Sequence, residues 1–134
     1  MRVQIIDIDI YKCRLVVFRG GTLKEVHKWL DDEYIEKDDE EIVRSLLEQF
    51  DEVIGHSGGA FIWYERENFV WLPTSSGMPE LAHELYHAAN HILTQLGVKH
   101  DEQDEPFAYL LEHLTRQVLK KPAYKQKTPT AADK

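Results

Sequence analysis

With 134 residues and 43% hydrophobic side chains, the chain is long enough for one domain with a real core; two domains or global disorder do not fit. A formal charge of −8 argues against a nucleic-acid-binding surface, which needs clustered Lys and Arg, and no apolar run reaches the length of a membrane span. The single cysteine, Cys13, cannot form an internal disulfide, which fits a reducing compartment.

Met1-Arg2-Val3-Gln4 opens directly into a strand pattern, unlike a secretory leader, so a cytoplasmic protein is expected. Ile6, Ile8 and Ile10 alternate with Asp7 and Asp9, the period of a half-buried strand. Tyr11-Lys12 reads as a turn, and Cys13 to Phe18 as a second strand. Gly20-Gly21 then gives a two-residue hairpin signal. Thr22 to Leu30 fits two patterns. A third hairpin strand suits the turn, and is the favoured reading. A helix suits the Thr22…Glu25 capping-box spacing and the spacing of Val26, Trp29 and Leu30.

Asp31 to Glu41 carries eight acidic residues and one lysine. The simplest reading is a solvated loop that feeds negative charge into a helix N-terminus, near Asp39 to Phe50. Ile42, Val43, Leu46 and Leu47 make that helix's apolar stripe. Glu52 to Leu72 reads as sheet, with a short Val53-Ile54 piece and a break at Gly58-Gly59. The strands Ala60 to Tyr64 and Phe69 to Leu72 follow, joined by a turn at Glu65 to Asn68. Pro79 opens a helix that Gly97 closes, and a last helix starts near Asp104-Glu105-Pro106 and runs to about Leu119. The expected fold is α+β: a small, mostly antiparallel twisted sheet packed against the helices. Residues 1–119 form a single domain, and 120–134 a disordered Lys/Thr/Ala/Pro-rich tail.

The chemistry sits in the third predicted helix, where His83-Glu84-Leu85-Tyr86-His87 reads His-Glu-x-x-His. Residues four apart share a helix face, so His83 and His87 can converge on one ion. Glu84 lies about 100° round from His83, placed to act on a water at that ion rather than to bind it head-on. Zinc is the expected metal. Such a site takes a third protein ligand, and the candidates downstream are Glu105, Asp104, Asp101 and His100, with Glu105 preferred. His91 continues the i, i+4 series, but reads better as a polar-face residue. Tyr109 and His100 are candidate oxyanion donors.

His83 to His87, followed by Asp104-Glu105-Pro106-Phe107-Ala108-Tyr109, resembles the zincin superfamily of metallopeptidases. With Trp71-Leu72-Pro73 ahead of the motif helix, the chain is most similar to small phage-encoded zincin-like proteins. The resemblance implies His83 and His87 as zinc ligands, Glu84 as general base and Glu105 as third ligand. It also implies a protein or peptide substrate, and a host-cytoplasmic location if phage-encoded. Such a substrate fits as an added strand along a sheet edge, with Ala60 to Tyr64 or Phe69 to Leu72 as the candidate edges. The alternative reading is a non-catalytic, zinc-containing binding protein that captures a host protein. Oligomeric state is not legible.

Overall fold

The structure is a computed structural model; it describes residues 1–37, 39–99, 104–120 and 124–125. Strand β1 (Arg2–Ile8) pairs antiparallel with β2 (Cys13–Arg19), joined by a 3-10 turn over Asp9–Tyr11 and by Lys12 at φ +52°. Helices α1 (Leu23–Tyr34) and α2 (Glu40–Val53) follow, then the hairpin of β3 (Ala60–Tyr64) and β4 (Glu67–Leu72). Helices α3 (Met78–Gln95) and α4 (Glu105–Lys120) come next, and β5 (Tyr124–Lys125) pairs with β1 inside the segment expected as a tail. The sheet order is β3-β4-β2-β1-β5.

The fold is α+β as expected, but the sheet is mixed. β4 lies parallel to β2, with Val17 opposite Val70, while the other neighbouring pairs are antiparallel. The parallel pair arises because the chain leaves β2 through two helices before re-entering the sheet, a connection that a short hairpin cannot make.

Thr22 to Leu30 is helix, not the favoured strand. Gly20 (φ +70°) and Gly21 (φ +99°) supply backbone angles that suit a hairpin, but here they turn the chain into α1. The capping box decides the outcome: Thr22 Oγ1 accepts from the Glu25 N–H at 3.2 Å, and Glu25 Oε1 accepts from the Thr22 N–H at 3.0 Å. The acidic run is likewise not one loop. Asp31 to Tyr34 belong to α1, and Asp39 caps α2 by accepting the Ile42 N–H at 3.1 Å. The expected Val53-Ile54 strand is absent, because α2 continues through Val53.

The sheet is buried on both faces, so the domain has three layers. On one face Phe18, Phe69 and Trp71 pack against Val26 and Leu30 of α1 and Leu46 and Phe50 of α2. Phe18 stacks on Phe69 at 5.7 Å, and Phe50 meets Phe69 edge-on at 5.8 Å. Each such buried ring contributes about 1.5–3 kcal/mol. On the other face Ile6, Val17, Val70 and Leu72 pack against Leu81, Leu85 and Ala88 of α3 and Phe107, Leu110 and Leu114 of α4. No described helix is long and apolar enough to cross a membrane.

Candidate metal centre

Helix α3 begins with Pro79 in its first turn, where a missing N–H costs nothing, and lies against the sheet through Leu81, Leu85, Ala88, Ala89 and Ile92. That seating leaves His83 and His87 outside, facing water. Their Nε2 atoms stand 3.1 Å apart, with the rings at 80°. Two nitrogens bound to one tetrahedral zinc at about 2.0–2.1 Å stand about 3.3 Å apart, so the pair is spaced to share an ion. Without one, the same approach requires the two rings to hold opposite tautomers and to hydrogen-bond in the open.

Glu84 is the odd residue of the buried face. It is 7% exposed among aliphatic neighbours, and its Oε2 comes within 4.0 Å of the His83 Nε2. Among the described residues, His83, Glu84 and His87 form one possible metal-binding group, their candidate ligand atoms all within 4.8 Å of one another. Helix spacing predicts Glu84 about 100° round from His83 and off the ion. The structure instead brings its carboxylate into the same group as the two imidazoles.

Gly59, just before β3, borders Glu84. It sits at φ +143°, and a Cβ there would meet Leu72 Cδ2 at 2.9 Å and Glu84 Cγ at 3.5 Å. The cleft runs on from there between β3 and α3, with a volume of about 550 Å³. Its walls are Phe61 and Trp63 from β3, and Asn90, His91 and Thr94 from α3.

His91 does not occupy an ordinary polar face. Its ring lies against Trp63 at 4.3 Å, tilted by 31°, and meets Phe61 at 5.4 Å, and its Nε2 is buried without a hydrogen-bond partner. Burial lowers its pKa below the ordinary 6.5, so the neutral ring is favoured. This aromatic wall was missed in the sequence. The available signal was the alternation of Phe61 and Trp63 along one strand with a histidine four residues beyond His87.

Glu105 stands exposed in the first turn of α4 and is not part of the three-residue group; nor is Asp104, whose carbonyl accepts the Ala108 N–H at 3.0 Å. Asp104 shares a surface cleft with Tyr86 and Asn90 of α3, which brings the start of α4 alongside the motif helix. His100 and Asp101 lie outside the described residues. Tyr109 is 66% exposed and does not line the cleft that holds His83 and His87. Of the two strands considered as a docking edge, only β3 is one: β4 lies between β3 and β2.

Comparison with known protein families, with curated proteins and with solved structures finds no match.

Proposed function

We propose that the protein is a small zincin-like metallopeptidase, with zinc held by His83 and His87 and Glu84 as general base. The observation that carries this reading is the pairing of two water-facing imidazoles, 3.1 Å apart at Nε2, with a carboxylate buried beside them. Zinc, when bound, polarises a carbonyl and acidifies a water. Glu84 takes a proton from the attacking water as its oxygen bonds to the carbonyl carbon, then returns it to the amine as the C–N bond breaks. We assign the third ligand to Glu105, in line with the resemblance; Asp104, which precedes it, lines a cleft with Tyr86 and Asn90 of α3 and is the alternative.

The rival is a zinc-containing protein that binds a partner without hydrolysis. It requires a fourth protein ligand to close the metal, and His91 is the nearest histidine in sequence able to supply one. Its packing against Trp63 supports an open position.

The test is metal content of native protein by mass spectrometry, wild type beside His83→Ala. About one zinc per chain, lost in the variant, is the expected result. No metal in either protein would sink the proposal.

A further inference from the structure

The cleft continues past the metal group, and that extension carries information about what enters it. β3 is one of the two edge strands, and α3 runs beside it in the same direction: Gly59 lies by Glu84 at one end, and Gln95 Nε2 donates to the Glu65 carbonyl at 3.1 Å at the other. His83 and His87 therefore sit toward the start of β3, and the Trp63–His91 pair toward its end. Trp63 is 43% exposed although His91 lies tilted against its ring at 4.3 Å. A large ring held by a neighbouring ring, with apolar surface still open to water, is pre-organised to receive another apolar group.

The backbone of β3 shows how a chain would lie there. Residues of an antiparallel strand alternate between bonding inward and outward. At Trp63 the outward direction is visible, since its carbonyl accepts from Gln49 Nε2 of helix α2 at 2.8 Å, a bond that an added strand would have to displace. Phe61, two residues earlier, shares that orientation by strand alternation. Antiparallel addition is the slightly stronger pairing. A chain antiparallel to β3 runs from Trp63 toward Gly59, so its N-terminal part passes the aromatic wall before its backbone reaches the histidines. Side chains two residues apart fall on one face of such a strand, about 6.6 Å apart.

We propose that Phe61, Trp63 and His91 form a subsite for a large apolar or aromatic side chain of an extended peptide, two positions N-terminal to the residue whose carbonyl lies at His83 and His87. This rests on the metallopeptidase reading, and names its substrate class: peptides selected by an aromatic residue ahead of the scissile bond.

The experiment uses the zinc-loaded full chain and three metal-binding probes, followed by calorimetry. These are acetohydroxamate, acetyl-glycyl-glycyl-glycine hydroxamate and acetyl-phenylalanyl-glycyl-glycine hydroxamate. The phenylalanyl probe is expected to bind about tenfold more tightly than the glycyl one. Trp63→Ala should abolish that preference, and Trp63→Leu should retain part of it, with zinc content unchanged in both. Equal affinity of the two peptide probes in the wild type, with acetohydroxamate binding, would overturn the subsite alone. Failure of acetohydroxamate to bind would overturn the open metal position and the subsite together. Dimerisation through β3, lost in Trp63→Ala and with no preference between probes, would assign the wall to a second copy instead.

Discussion

Gly59 and Glu84 face each other where the edge strand begins: a Cβ on Gly59 would lie 3.5 Å from Glu84 Cγ, at a backbone angle of φ +143°. The carboxylate itself comes within 4.0 Å of the His83 Nε2. For the proposed general base, position matters because reach to the reacting water is a matter of fractions of an ångström.

Glu84→Gln keeps the shape of the side chain and removes the base. Zinc content should be unchanged, and peptide hydrolysis should fall about 10²–10⁴-fold. Undiminished cleavage by this variant would end the general-base assignment.

Glu105→Ala should weaken zinc binding by at least about tenfold, the smallest loss seen even for residues that merely support a ligand. Asp104→Ala, which shortens a side chain ahead of the same helix, should change it much less. Competition against a chromogenic chelator measures both. Equal affinities for Glu105→Ala and wild type would move the third ligand elsewhere.

The motif itself was readable from sequence because its geometry is local. A helix fixes the relation of His83 to His87 whatever the rest of the chain does, and Leu81, Leu85 and Ala88 announce which face is buried. The parts that were not readable depend on contacts remote in sequence. Gly20-Gly21 encodes positive φ but not the direction in which the chain leaves. Val17 pairs with Val70 across more than fifty residues, which no short-range pattern reports. The packing of His91 against Trp63 likewise exists only once β3 is laid beside α3.

Thr22→Ala removes the hydroxyl that settled the strand-or-helix ambiguity. It should destabilise the domain by about 1 kcal/mol in urea unfolding at neutral pH. The other half of the box adds a pH dependence. Accepting the Thr22 N–H lowers the Glu25 pKa below 4.5, so its contribution is present above that value and is lost as pH falls through the folded-state pKa. Glu25→Gln should flatten the acid limb of the stability curve.

His91 should titrate below the ordinary imidazole value of 6.5, because burial disfavours its charged form. The sign follows: the folded state is favoured with neutral His91 above 6.5, and this contribution is lost as pH falls toward the lowered value. Ring-proton shifts in NMR measure the midpoint. A His91 midpoint at or above 6.5 would contradict the buried, neutral ring.

Glu84 is anchored in the packed interior, while both imidazoles face water on a helix seated by its apolar face. On the proposed reading, assembly of the domain and loading of an ion are separate events. Unlike a zinc finger, which collapses when stripped, this chain should survive chelation with its helical circular dichroism intact and accept metal back without refolding. Such a protein could be made and stored inert, its competence set by whatever free metal surrounds it.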